Sequence, residues 1–203
     1  EGWRVEPVFR VSTTMLGLNV NRPPLENPLV REAIDLAIDR RELVRSGLAQ
    51  GAGEPAVSLV PAEVFGFSPT NRLFPVDQDR ARQLLASLDP GGALRIELDV
   101  DATGIPESTL HVLARALRAV GFEPEIRRQP YEDLYRRIEQ GGAGAFIVTW
   151  NFSTGDASEF LESMVHSRDP ERSLGLLNGS GYRDPQLDGW IEAAAREPVA
   201  SRR

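Results

Sequence analysis

The stretch that most restricts what this chain can fold into runs from Leu94 to Trp150, where the apolar period switches repeatedly between two and about 3.6. Leu94, Ile96, Leu98 and Val100 alternate as a strand. Pro106 opens a helix through Leu110, Leu113, Ala114 and Leu117, and Gly121 suits the left-handed residue that closes it. Phe122 to Arg128 reads as a strand. Pro130 to Gln140 reads as a helix with Glu132–Arg136 and Asp133–Arg137 at i,i+4, and Ala145 to Trp150 as a short apolar strand. Strand, helix, strand, helix, strand requires right-handed crossovers, so the fold class is α/β with a parallel sheet core. Ligands of such sheets bind off the carboxyl ends of the strands, here Asp99 to Gly104 and Trp150 to Asp156.

The flanks are readable in the same terms. Val5 to Val11 and Met15 to Asn21 look like strands, the second with Leu16, Leu18 and Val20 on one face. Asn27 and Pro28 form a helix start, followed by a stripe of Leu29, Val30, Ala33, Ile34, Ala37 and Ile38. Asp39 with Glu42 reads as a capping box before a helix from Arg40 to Leu48. Ala49 to Val76 is rich in Gly and Pro and is read as an ordered excursion pinned by Phe65, Phe67 and Phe74, with a domain linker as the alternative. Asp77 caps a helix carrying Ala81, Leu84, Leu85 and Leu88. Asp156 with Glu159 starts another through Phe160, Leu161 and Val165, and Asp184-Pro185 starts a last one carrying Leu187, Trp190 and Ile191.

Composition removes several classes of function. A formal charge of -7, with no basic stripe, argues against a nucleic-acid partner. All 23 basic residues are arginine, which points to codon bias. The absence of cysteine removes disulfides, thiolate nucleophiles and Cys-ligated zinc. No apolar run approaches the roughly 20 residues that span a bilayer, and no signal-peptide pattern opens at Glu1, so the expectation is either a cytoplasmic protein or a targeting segment that lies outside this chain. His111 and His166 stand apart and read as surface or capping residues. Gly141 to Gly144 precedes a strand and reads as a helix C-cap and turn, and Asn178 to Gly181 as a turn. The carboxylates read as solvated faces and caps. No catalytic constellation, metal-ligand set or cofactor motif emerges. The segment Trp150 to Ala157 is the informative one: two rings and several hydrogen-bonding groups at a strand's carboxyl end form either a ligand edge or the close of the core.

Several motifs, in order, resemble one family. Leu16 to Leu25 (LGLNVNRPPL), Val30 to Arg40 (VREAIDLAIDR), Gly51 to Pro55 and Pro61 to Phe67 are similar to the first signature of the family 5 extracellular solute-binding proteins, the peptide and nickel class that serves ABC importers. Ala116 to Ile126, Tyr131, and Trp150 through Phe160-Leu161 resemble the second. Gly181-Tyr182, Asp184-Pro185, Leu187-Asp188 and Ile191 to Ala194 resemble the third. The resemblance spans nearly the whole chain.

It implies a periplasmic-binding-protein-like (type II) lobe with a mixed, largely parallel sheet flanked by helices. Residues 1–203 would be the second, ligand-binding lobe of a two-lobed protein, its first lobe and any lipid anchor lying outside this chain. The implied function is capture of a peptide-like or other small polar ligand in the periplasm or outside the cell. The implied partners are ABC permease subunits, with no enzymatic step, no nucleic acid, and membrane contact only through that anchor. A ligand-sensing domain of a transcription regulator is the alternative, and a hydrolase a remote one. Family pocket positions fall on Tyr131, Trp150, Asn151, Phe152 and Ser153, and also on Asp101 and Thr103. Peptide-binding members carry an Asp where this chain has Ser153, and a hydroxyl cannot supply the charge-assisted bond that a peptide ammonium needs. Affinity is therefore expected not to depend on a free peptide N-terminus. The family's usual Asp-Pro is Asp156-Ala157 here.

Overall fold

The computed structural model describes residues 11–48, 53–70, 72–73, 75–88 and 92–199. Its frame is a four-stranded sheet in the order β1-β4-β2-β3, built from β1 (Ser12–Leu18), β2 (Leu94–Asp101), β3 (Phe122–Gln129) and β4 (Ala145–Asn151). β2 pairs in parallel with both β3 and β4, and β1 runs antiparallel to β4, which gives the mixed, largely parallel sheet expected. The expected strand at Val5 to Val11 lies outside the described residues except for Val11, as do Phe74 and the chain's last residues, Ser201 to Arg203.

Even-numbered residues of β2, Ile96, Leu98 and Val100, face one helical layer and form the main core with it. That layer holds α1 (Pro28–Ala37), α3 (Gln78–Leu88) and α4 (Glu107–Val120), with the short α2 (Arg40–Arg45) against α4. The starts are as the residues dictate. Asn27 Oδ1 accepts the N–H of Leu29 at 2.9 Å, Asp39 accepts from Arg41 and Glu42, and Asp77 accepts from Arg80. Gly121 ends α4 at φ 113°, a conformation that a side chain disfavours.

The other face is covered by α5 (Tyr131–Glu139), α6 (Ser158–Phe160) running into a π-turn (Leu161–Val165), and α7 (Pro185–Arg196) beyond. Leu134 and Ile138 of α5 pack on Phe146 and Val148 of β4.

Several expectations shift. β1 begins at Ser12 and ends at Leu18, so Val20 is not on its inner face. Asn19 leaves the ladder because its buried amide donates to the carbonyls of Ala143 at 3.0 Å and Gly141 at 3.4 Å, tying the strand end to the turn after α5. α2 stops at Arg45, since Gly47 takes φ 111° and breaks the run toward Leu48. Glu42 turns away from its cap to pair with Arg115. Trp190 is 63% exposed, and Ile191 is the buried residue of α7. Asp133 pairs with Arg136, three residues on, rather than with Arg137. The excursion after α2 is ordered where described: Val60 and Val64 are buried, Phe67 packs beside them, and Phe65 is left exposed.

Candidate ligand-binding site

The carboxyl end of the sheet on the α5 side gathers residues from three elements. In a strand, alternate side chains share a face, so Asp99 and Asp101 of β2, Arg127 and Gln129 of β3, and Phe146, Val148 and Trp150 of β4 stand together there. α5 starts two residues after β3 ends, which leaves Tyr131 at this end and Tyr135 one turn along on the same side. The two rings lie 4.3 Å apart at 35°, Tyr131 57% exposed and Tyr135 half-buried against the Leu134–Phe146 cluster. Burial, the hydrogen bond to Tyr131 and the negative charge of Asp101 drive the Tyr135 hydroxyl well above its ordinary pKa, so it stays neutral. Asp101 Oδ1 accepts the N–H of Thr103 at 3.1 Å and its hydroxyl at 3.3 Å, fixing the loop that follows β2.

Beneath these groups lies an ion network that sequence reading missed. The Asp99 side chain has no exposure. It accepts from Arg137 Nε at 3.1 Å and Gln129 Nε2 at 3.0 Å, with Arg127 at 3.7 Å. Glu97 takes Arg137 at 3.0 Å and Arg127 at 3.4 Å. α5 covers the odd positions of β2, and Arg137 turns inward because a buried carboxylate without a partner is costly. The network fixes α5, and with it both tyrosines, on the sheet.

The turn after β4 divides its residues between two tasks. Phe152 is 6% exposed, its ring 5.4 Å from that of Phe160 among Val60, Val64 and Ala157, so it completes a satellite core. Trp150 is half-buried, edge-on to Phe160 at 5.7 Å, and keeps part of its ring toward solvent. Asn151 and Ser153 are exposed, Asn151 opposite Ser12 and on the sheet face away from Trp150. Phe65 N–H donates to Gly155 O at 2.9 Å and Ala157 N–H donates to Phe65 O at 3.0 Å, so the excursion after α2 clamps this turn. Asp156 Oδ1 accepts the N–H of Ser158 at 2.8 Å, and the helix there runs for one turn before widening into the π-turn.

Tyr131, Trp150, Asp101 and Thr103 therefore lie at one end of the sheet, the first three on its α5 side. Asn151 is turned to the opposite face, Phe152 is inside, and Ser153 is on the exposed turn. Tyr135 was missed, although its spacing from Tyr131 announces a shared helical face.

A separate cavity of about 400 Å³ lies on the opposite side of the sheet, between Leu16, Ile34, Leu43, Ile105 and residues 53–59. None of the residues just named lines it. Its walls are mostly apolar, whereas orienting a small polar ligand takes convergent polar groups, and those stand at the carboxyl end on the α5 side. Among the described residues no group of three His, Cys, Asp or Glu is placed to hold a metal ion, and no helix is long and apolar enough to cross a membrane.

Residues 7–171 match the family described as bacterial extracellular solute-binding proteins, family 5 Middle. The chain is 27% identical over 197 residues to a probable di/tripeptide-binding protein of Pseudomonas aeruginosa, covering 93% of this chain and 35% of that protein. It is 26% identical over 187 residues to the glutathione-binding protein GsiB of Escherichia coli, covering 89% and 36%. The chain thus spans little more than a third of these relatives' length. The ABC transporter-associated periplasmic binding protein DppA from Helicobacter pylori, solved with the peptide STSA, superposes with a TM-score of 0.83 at 19% identity over 94% of this chain and 37% of that one. NikA from Staphylococcus aureus, solved with Ni(L-His)2, gives 0.76 at 22% identity over 96% and 40%. These structures share the fold, a type II periplasmic-binding-protein lobe. With a match over most of its length and the fold to go with it, this chain belongs to the family 5 bacterial extracellular solute-binding proteins.

Proposed function

We propose that the chain is the second lobe of a two-lobed substrate-binding component of an ABC importer, working in the periplasm or at the outer face of the cytoplasmic membrane. It captures a peptide-like or other small polar ligand and hands it to permease subunits, and it catalyses no reaction on it. The observation that carries this reading is the convergence of Trp150, Tyr131, Tyr135 and Asp101 at the carboxyl end of the sheet, with rings partly open to solvent and a carboxylate among them. The relatives named above, a di/tripeptide-binding and a glutathione-binding protein, support the ligand class. Tyr131, Trp150, Ser153, Asp101 and Thr103 contact the ligand, Asn151 lies at the rim, and Phe152 acts from below by holding the turn. The first lobe of the same protein closes over this edge, because a ligand that touches both surfaces favours the state in which both are near.

Ser153 carries no charge, so the ligand is not anchored there by a free amino terminus. Calorimetry on the full-length protein with free and N-acetylated forms of one tripeptide tests the reading. The two forms are expected to bind within about threefold of each other, and Trp150→Ala to weaken both by roughly tenfold, as loss of a central aromatic contact does. A strong preference for the free amine would refute the assignment of Ser153. Affinity indifferent to Trp150→Ala would refute the site.

A further inference from the structure

We propose that the corner formed by Asp101, Tyr131 and Tyr135 receives a cationic side chain of the ligand, above all a guanidinium, and so makes the protein prefer ligands with positively charged side chains. This rests on the binding role proposed above. The first support is the charge balance of the α5 face. Glu97, Asp99 and Asp101 face Arg127 and Arg137; both guanidiniums are taken by Glu97 and Asp99, and among the described residues Asp101 makes no ion pair. The unbalanced negative charge therefore stands at the solvent-open end, where α5 adds Glu132 in its first turn.

The second support is geometric. Tyr131 stacks on Tyr135 at 4.3 Å and is 57% exposed, and the electron-rich face of a phenol attracts a cation. Thr103 occupies only Oδ1 of Asp101. The other oxygen lies beside Gly104, where an added Cβ would stand 2.9 Å from it, so glycine at 104 leaves that side of the carboxylate free of a neighbouring side chain. Tyr135 stays neutral next to the carboxylate and offers a hydroxyl rather than a competing charge. An anion is disfavoured at the same place, since Asp101 and Glu132 would both repel it.

The test compares two N-acetylated tripeptide amides with arginine or citrulline at the centre, citrulline keeping the size and most of the hydrogen bonds of arginine without its charge. Calorimetry on the full-length protein is expected to give at least roughly tenfold tighter binding of the arginine peptide, and Asp101→Asn to bring it down to the level of the citrulline peptide. Equal affinities in the unmodified protein overturn the proposal. If neither peptide binds, peptide capture fails on its own account, and the corner is judged with N-acetylarginine amide and N-acetylcitrulline amide, which differ in charge only at the side chain, by the ring resonances of Tyr131 and Tyr135. Shifts specific to arginine and lost in Asp101→Asn uphold it; the same shifts with both probes overturn it.

Discussion

His166 carries the clearest pH dependence in the chain. Read from sequence as a surface or capping residue, its side chain is 4% exposed and held between the Ser167 carbonyl at 2.7 Å, Glu192 at 3.2 Å and Asp188 at 3.7 Å. Burial opposes its charge, but the Ser167 carbonyl, the Glu192 hydrogen bond and the two carboxylate charges outweigh it and raise the pKa above 6.5. Glu192 is the counterpart: hydrogen bonds from Arg172 first, then from His166 and Arg196, hold its carboxyl at about 2 against an ordinary 4.5. A raised histidine stabilises fully below 6.5 and loses that contribution as pH rises through the folded value; a depressed carboxylate stabilises above 4.5 and loses it as pH falls toward 2. Both contributions are complete between 4.5 and 6.5. The thermal midpoint is therefore expected to peak in that window and to fall by a few degrees, on the order of 2–4 °C, as the pH rises above it through the folded value of His166, with His166→Gln flattening that alkaline fall. Parallel falls in both proteins would dismiss the histidine as the cause. Nothing in the sequence joins His166 to Glu192, 26 residues apart on another helix. Asp99 was hidden for a related reason, because alternation assigns a residue to a face without saying whether that face is covered.

At the scale of elements, caps and periods were legible and edges were not. Asn27, Asp39, Asp77, Gly121 and Asp184 act as read, because a cap is settled by a few neighbouring backbone atoms. β1 was misplaced by three residues because Asn19 serves a turn more than 120 residues away. Its pairing depends on a feature that no local pattern reveals. Phe146 of β4 lies over Gly17 of β1, where an added Cβ would meet the ring at 2.2 Å, and over Gly179, where it would meet the ring at 2.8 Å. Gly17→Val forces the ring aside and is expected to lower unfolding stability by about 1–3 kcal/mol in urea titrations, the usual cost of overpacking. A loss below roughly 0.5 kcal/mol would mean that the ring has other room. The candidate site divides along the same line. Its strand ends were found, while the tasks of Trp150 and Phe152 were separated only by Phe160 and Val64, which periodicity could not bring to the same spot.

For the molecule as a whole, the residues proposed to meet the ligand lie along an edge of the sheet. Half-enclosed ligands gain little, since affinity comes from burying both sides and excluding water. Residues 1–203 alone are therefore expected to bind tripeptides at least roughly a hundredfold more weakly than the full-length protein, and submicromolar binding by this chain alone in calorimetry would count against a two-lobed clamp. The way the edge is held has a consequence of its own. Phe65 grips the turn through main-chain atoms, receiving the amide of Ala157. The related family pattern carries proline at that position, and an imino nitrogen has no proton to give. The amide proton at 157 thus supplies the second of two main-chain stitches between a remote loop and this turn, and since the residue's φ of -77° already suits a proline ring, Ala157→Pro would unpick that stitch and leave the one from Phe65 N–H to Gly155 O.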